Sequence, residues 1–74
     1  MGVRARVTVS SSEHVPGLVA ALANAGCLVR RLDGTSCSVV VIEADGPEAA
    51  LVELRLFVRA WTAARPGAAA AVTA

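Results

Sequence analysis

The sequence predicts an α+β fold in which two helices pack on one face of an antiparallel sheet. Three observations predict it. An apolar segment near the N-terminus alternates with the two-residue period of a strand. Two helical patterns follow, and each starts at a proline, Pro16 or Pro47. Between them lie two strand-like segments hinged at Asp33-Gly34. Strands and helices interleaved in so short a chain must share one core.

The first strand is predicted over residues 3–9 and the first helix from about Pro16. Successive side chains of a strand point to opposite faces, so this strand has an apolar face and a polar face. The polar face consists of Arg4, Arg6 and Thr8. Leu18 and Leu22 continue the apolar pattern at helical spacing, and Gly26 ends the helix because glycine tolerates the left-handed conformation there.

The second and third strands are predicted over residues 27–32 and 37–44, with a turn at 33–36. An Asp-Gly pair favours tight hairpins because both residues tolerate positive φ. The third strand is apolar on both faces at 39–42, which is typical of a central strand covered on both sides. Two helices cover only one face, so the other cover is expected from outside this small domain.

The second helix is predicted from Pro47 to the Pro66-Gly67 break. Residues 1–67 then form the single domain, and 68–74 form an Ala-rich tail that either adds an edge strand or frays. One apolar stripe on this helix contains Leu51, Leu54, Val58 and Trp61.

Right-handed crossovers place the first and third strands at the centre of the sheet, with both helices on one face. This is a two-layer ferredoxin-like sandwich, βαββα(β), with an antiparallel sheet. The predicted core contains Val7, Val9, Leu18, Leu22, Leu51 and Leu54. The predicted open face carries Arg4, Arg6 and Thr8 with either Cys37, Val39 and Val41 or Ser38, Val40 and Ile42.

The composition favours self-association. Of the 74 residues, 55% are hydrophobic and 18% are charged. A chain this short buries only ~60% of the surface that its unfolded form exposes, so we expect a homodimer. No run reaches the roughly 18 apolar residues of a membrane span. The net charge of +1 predicts no general attraction to nucleic acid or to a membrane.

Several segments resemble ACT domains, which sense small molecules. Val7-Thr8-Val9 followed by residues 13–19 (EHVPGLV) is similar to their first strand and first loop. Residues 25–29 are similar to their helix exit, and residues 39–50 resemble their third strand and second helix. The resemblance implies an amino-acid-type ligand at the first loop and pairing through sheet edges or helices.

The residues of the first loop support the same location on physical grounds. Backbone N–H groups at a helix start favour an anion, and Gly17 allows a close approach to the backbone. The predicted ligand-binding residues are Glu13, His14, Gly17 and Leu18. The alternative is that the loop serines and Glu13 only cap the helix.

The remaining polar residues predict no catalytic or metal site. His14 is the only histidine, which is too few ligands for zinc and leaves a general base without a nucleophile. Cys27 and Cys37 fall at offset positions of the hairpin, so we expect two free thiols and a reducing cytoplasm. A small enzyme or redox protein would depend on these three residues alone.

The arginines leave two interpretations open. Arg30-Arg31 and Arg4/Arg6 either bind phosphate or RNA on the open face, or form salt bridges with Glu43, Asp33 or Asp45. Recognition of RNA would require aromatic side chains on the central strands, and the chain has none there.

The sequence therefore predicts a non-enzymatic regulatory homodimer without a cofactor. In the main hypothesis it binds an amino acid or similar metabolite at the first loop. In the alternative it is a protein-interaction or assembly subunit that uses its apolar sheet face. The predicted interface residues are Arg4, Arg6, Val40 and Ile42.

Overall fold

The computed structural model describes residues 3–42 and 46–73, and these form a four-stranded antiparallel sheet and two α-helices. The elements in chain order are β1 (Val3–Val9), a 3-10 turn (Ser12–His14), α1 (Val15–Asn24), β2 (Leu28–Arg31), β3 (Ser36–Val41), α2 (Pro47–Ala63) and β4 (Ala70–Thr73). The predicted α+β class is confirmed. The predicted end of the third strand at 43–44 and the predicted salt-bridge partners Glu43 and Asp45 lie outside the described residues.

The strands are ordered β2-β3-β1-β4, and every neighbouring pair is antiparallel. The prediction that the first and third strands lie side by side in the centre is confirmed. The Ala-rich tail supplies β4, an edge strand in which Val72 pairs with Val7 of β1. Small side chains suffice at this position because β4 covers only one edge of the sheet.

The register decides which residues share the open face. Val7 pairs with Cys37 and Ala5 pairs with Val39, and all four side chains are buried beneath the helices. The intervening residues point the other way, because side chains alternate along a strand. The open face therefore carries Ser38 and Val40, which is the second of the two predicted sets.

The helices bury one apolar stripe each against the sheet. The predicted core residues Val7, Val9, Leu18, Leu22 and Leu54 are all buried. Leu51 is only partly buried, and Ala50 occupies the core position in its place. The buried residues of α2 are Ala50, Leu54, Val58 and Trp61. This spacing of four, four and three residues follows the helical period more closely than a stripe that starts at Leu51.

The end of α1 matches the prediction in detail. Gly26 has φ of 92° and lies just after the last helical turn. Its N–H donates to the Ala23 carbonyl at 3.1 Å, and the Cys27 N–H donates to the Leu22 carbonyl at 3.1 Å. These two bonds form a Schellman motif, which satisfies two of the orphan carbonyls of the helix and turns the chain into β2.

The turn between β2 and β3 lies where it was predicted, but its mechanism differs. Gly34 is not among the positive-φ glycines of the described chain. The Asp33 side chain holds the turn instead. Its Oδ1 accepts hydrogen bonds from the backbone N–H groups of Thr35 and Ser36, each with an N···O distance of 2.9 Å. An aspartate that bonds backbone two residues ahead is a common turn device, so the Asp of the Asp-Gly pair matters more than the Gly.

This turn predicts a stability loss in acid. Hydrogen bonding, first of all from the Thr35 backbone N–H, lowers the pKa of Asp33 below its ordinary 3.8. A lowered folded-state pKa contributes stability that is present above the unfolded value and is lost as the pH falls through the folded value. Below pH 3.8 the urea midpoint should fall as the pH decreases. We expect it to fall less steeply in Asp33→Asn than in the unsubstituted protein. An unchanged acid dependence in this variant would contradict the role of the carboxylate.

Candidate functional site

The open face of the sheet brings three arginines from two strands together. Arg4 lies across β3 from Leu28, because both pair with Val40. In the next row, Arg6 and Arg30 lie on opposite sides of Ser38, since both pair with it. Of the arginines predicted to meet near the sheet, Arg4, Arg6 and Arg30 share the open face, whereas Arg31 pairs with the buried Cys37 and lies on the helix side.

Arg6 differs from the other two arginines because it has a partner in the turn. Its Nη2 lies 3.5 Å from Asp33 Oδ2 and 3.3 Å from Ser36 Oγ. The predicted salt bridge to Asp33 is thus formed, by two half-exposed side chains. Within residues 3–42 and 46–73, neither Arg4 nor Arg30 forms an ion pair.

A shallow cavity of about 170 Å³ lies on this face between Arg4 and Arg30. Ser38 and Val40 of the central strand β3 line it between the two arginines, and Leu28 adds an apolar wall. Leu28, on the edge strand β2, is 61% exposed. Charged side chains thus surround an apolar patch here, and we call this site the arginine cleft.

Ile42 does not join the other predicted interface residues. It lies just past the end of β3 and is exposed. It lines a different cavity, on the helix side of the sheet. Of the predicted interface set, Arg4, Arg6 and Val40 share the open face.

The four predicted ligand-binding residues lie in consecutive turns but in different environments. Glu13 is exposed in the 3-10 turn, and His14 is half-buried after it. Gly17 is exposed in the first turn of α1, whereas Leu18 is buried in the core. Leu18 therefore contributes to core packing. Of the four residues, only Glu13, His14 and Gly17 are at least partly accessible to a ligand.

Several backbone donors at the start of α1 are already occupied. The His14 N–H donates to the Ser11 carbonyl at 3.1 Å, and the Val15 N–H donates to the Ser12 carbonyl. Pro16 has no N–H to offer. No side chain caps either of these two helical segments. The 3-10 turn therefore does the capping that was predicted for the serines and Glu13.

The first loop contacts an aromatic residue that the sequence placed only on the apolar stripe of the second helix. The Trp61 ring meets the His14 ring edge to face, with 6.2 Å between centroids. The Arg65 guanidinium, just past the end of α2, lies 4.3 Å from the Trp61 centroid, and its Nη1 donates to the Trp61 carbonyl at 3.1 Å. A four-residue helical spacing signals the Arg65 contact in the sequence, but nothing local signals the contact with His14.

Trp61 also leaves one polar atom unsatisfied. Its side chain is buried, and Nε1 has no hydrogen-bond partner among the described residues. An unpaired buried donor costs roughly 1–3 kcal/mol. The His14–Trp61–Arg65 cluster is therefore the feature of the first loop with the greatest potential to respond to a ligand.

A larger cavity of about 370 Å³ lies on the helix side, in the groove between the end of α1 and α2. The residues that line it are Leu22, Ala25, Gly26, Cys27, Val41, Ile42, Glu53, Leu54 and Phe57. Sequence reasoning did not identify it, because its walls come from α1, β3, α2 and the connection between α1 and β2. The only local signal is that Glu53 and Phe57 share a helix face at four-residue spacing.

The two cysteines are free, as predicted. Arg31 pairs with Cys37 and Leu28 pairs with Val40, so the register places Cys27 well away from Cys37. Burial raises the pKa of both thiols above 9.0, which keeps them protonated at neutral pH.

We expect freshly purified, non-reduced protein to show two free thiols by mass spectrometry. Iodoacetamide should modify Cys27 before Cys37, because Cys27 is partly accessible whereas Cys37 is buried. Glutathione serves as the control, because its fully accessible thiol should react with iodoacetamide faster than either cysteine. A monomer mass lower by two hydrogens would contradict the register.

The described residues offer no metal-binding group. Within them, no three His, Cys, Asp or Glu side chains lie close enough to hold a metal ion. Among the same residues, no helix is both long enough and apolar enough to cross a bilayer.

In comparisons with known proteins, no family model matches the chain, and no match was found among the curated proteins or the solved structures. The resemblance to ACT domains therefore depends on the short motifs of the sequence alone.

Proposed function

We propose that this chain is a small non-enzymatic interaction module that docks an acidic segment of a partner protein on its open sheet face. The observation that carries this proposal is the strand register, which sets Arg4 and Arg30 around Ser38 and Val40. Arginine binds carboxylates with paired N–H donors, so this arrangement suits acidic side chains.

The charge of the face favours a different protein over a second copy. Asp33 is engaged by Arg6, whereas Arg4 and Arg30 have no ionic partner within residues 3–42 and 46–73. Two such faces packed together would oppose arginine to arginine, and like charges across an interface are unfavourable. An acidic partner removes this repulsion and gains charge-assisted hydrogen bonds.

The size of the arginine cleft favours a side chain over a free metabolite. Its volume of about 170 Å³ is smaller than the ~300 Å³ at which small-molecule sites usually start. At ~30 Å³ per water molecule, it holds roughly five or six waters, which is the scale of one whole Glu side chain. The exposed Leu28 beside it offers an apolar contact to the neighbouring residue of the partner.

The test is binding of a fluorescein-labelled peptide of alternating Glu and Leu, followed by anisotropy. The matched control peptide alternates Gln and Leu. We expect the acidic peptide to bind and the double variant R4Q/R30Q to weaken it about tenfold or more, since a bond to a charged group contributes roughly 1.5 kcal/mol or more. R55Q/R59Q, in which both arginines are exposed on α2, removes the same two charges elsewhere and should leave the affinity unchanged.

Three results would overturn the proposal. Equal weakening by R55Q/R59Q would show that only the net charge matters. Equal binding of the Gln-Leu peptide would show that carboxylates are not recognised. Tighter binding of a single-stranded oligonucleotide than of the acidic peptide would assign the face to nucleic acid.

We also propose that the fold is of the ferredoxin-like type. The antiparallel order β2-β3-β1-β4, with both central strands followed in the chain by a helix, supports this proposal. Nuclear Overhauser contacts between β1 and both β3 and β4 would test it, and their absence would contradict it.

A reducing cytoplasm is the compartment we propose for this module. Its two cysteines are free and partly or fully buried. A chain of this size that matures in an oxidising compartment commonly gains its stability from disulfides. Loss of the fold on export to an oxidising compartment would agree with this proposal, and normal folding there with both thiols still free would contradict it.

Binding of an amino acid or similar metabolite at the first loop is the second candidate function. The observation in its favour is the His14–Trp61–Arg65 cluster with the unpartnered Trp61 Nε1. Trp61 is the only tryptophan, so its fluorescence reports on this site alone. We expect a bound amino acid to change that fluorescence and to shift the amide resonances of residues 13–19. A metabolite screen without shifts there would exclude this candidate.

Substitutions of Gly17 test whether the ligand binds at the first loop. A Cβ at this position would lie 3.7 Å from Trp61 Cζ2, which is an ordinary contact. Gly17→Ala should therefore fold normally, whereas Gly17→Leu should press on the indole and abolish ligand binding. An affinity for the amino acid that Gly17→Leu leaves intact would place the ligand elsewhere.

We expect a homodimer, formed through the outer face of α2. Val52 and Leu56 are 54% and 60% exposed one helical turn apart, and they are flanked by exposed alanines such as Ala60. Light scattering should give twice the 7.5 kDa of one chain, and L56E should give the monomer mass. A monomer at micromolar concentration would contradict the homodimer. Dissociation by L28E instead of L56E would move the interface to the sheet face.

A further inference from the structure

The helix-side cavity has the size and lining of a small-molecule site. Its volume of about 370 Å³ falls within the ~300–1,000 Å³ typical of such sites. The walls are mainly apolar, with Leu22, Leu54 and Val41 among the aliphatic residues and Phe57 as the aromatic one. An apolar body of a few carbon atoms would therefore fit among these side chains.

The described lining of this cavity contains one charged residue. Among residues 3–42 and 46–73, only Glu53 brings a charge to it, and Glu53 forms no ion pair with any of them. A carboxylate at the rim of an apolar cavity favours a cation over an anion.

The end of α1 adds a second, independent preference for a cation. Ala25 and Gly26 line the cavity where the helix ends. The Schellman bonds satisfy the carbonyls of Leu22 and Ala23, so those of Asn24 and Ala25 form the negative end of the helix dipole. The last turn of α1 contains no basic residue that would neutralise it.

We infer that this cavity binds a small organic amine, with its ammonium group at Glu53 and the end of α1 and its apolar body against Leu54 and Phe57. The site is separate from the arginine cleft, which lies on the opposite face of the sheet. It is also separate from the first loop, which lies at the other end of α1. The inference therefore does not depend on the proposed function.

The test uses Cys27 as a reporter, because this thiol lines the cavity and is partly accessible. The probes are n-hexylamine, 1-hexanol and hexanoate, which share a six-carbon chain and differ in head group. We expect hexylamine to slow the alkylation of Cys27 by iodoacetamide in a saturable manner, 1-hexanol to do so weakly and hexanoate not at all. Cys37, which is buried, serves as the internal control for unfolding of the chain.

Glu53→Gln should weaken protection by hexylamine about tenfold and leave protection by 1-hexanol unchanged, since one charge-assisted bond is lost. Glu48→Gln is the matched control, because Glu48 lies on the same helix outside the cavity. Equal protection by hexanoate, or equal weakening by E48Q and E53Q, would overturn the preference for an amine. No protection by any probe at saturating concentration would show that the cavity does not bind ligands.

Discussion

Replacing Leu18 by alanine should cost about 2–5 kcal/mol of the free energy of unfolding. Leu18 is 1% exposed and lies in the core beneath the sheet, so its removal leaves a cavity that rigid neighbours cannot fill. Domains of this kind unfold with only about 5–15 kcal/mol. The variant should therefore lose a large part of its stability, measurable as a lower urea midpoint with an unchanged slope.

Leu56→Ala is the matched control for this experiment. Leu56 is also a helical leucine but is 60% exposed, so its truncation should change the stability of the monomer by no more than about 0.5 kcal/mol. The measurement is made at a concentration where the chain is monomeric, because Leu56 belongs to the expected dimer surface. Similar losses for both variants would contradict the burial of Leu18.

Replacing Gly26 by alanine should destabilise the fold by about 1–2 kcal/mol, because an L-residue is strained in the left-handed region. Gly26 has φ of 92°. A Cβ added there meets nothing within 4 Å, so the cost arises from the backbone and not from a clash. Thermal and urea unfolding of the variant measure this cost.

Two controls separate backbone strain from other effects of the added methyl group. Gly34 also has open space around an added Cβ but lacks a positive φ, so Gly34→Ala should not destabilise the protein. D-alanine at position 26, introduced by chemical synthesis, favours positive φ and should restore the stability lost with L-alanine. Equal effects of L- and D-alanine at this position would contradict the left-handed cap.

Local patterns predicted the elements well. The alternation in residues 3–9 gave β1 with its bounds, and Gly26 gave the end of α1 because its role depends only on its own backbone. The choice between Ala50 and Leu51 as the core position of α2 was missed, since both fit a helical stripe and only the packed sheet separates them. Gly34 shows a further limit: Asp-Gly predicted the turn, but the pattern could not tell which residue of the pair holds it.

The candidate sites were less predictable because they depend on register and on contacts between distant elements. The sequence placed the arginines near the sheet, but it allowed either of two sets of β3 residues to share their face. The pairing of Val7 with Cys37 in the structure decides between the two sets. His14 and Trp61 are in contact although they lie far apart in the sequence. The periodicity of either element carries no information about that contact. The helix-side cavity was missed for the same reason.

The position of β4 has a consequence for how the chain folds. The last strand pairs with the first, Val72 with Val7, so this edge of the sheet closes only when both ends of the chain meet. Contacts between residues so far apart in sequence raise contact order, which slows folding. Until they form, β1 presents an unpaired edge that another chain can occupy. Trimming the alanine-rich end should therefore leave the helices intact while making the protein fold incompletely and aggregate through β1.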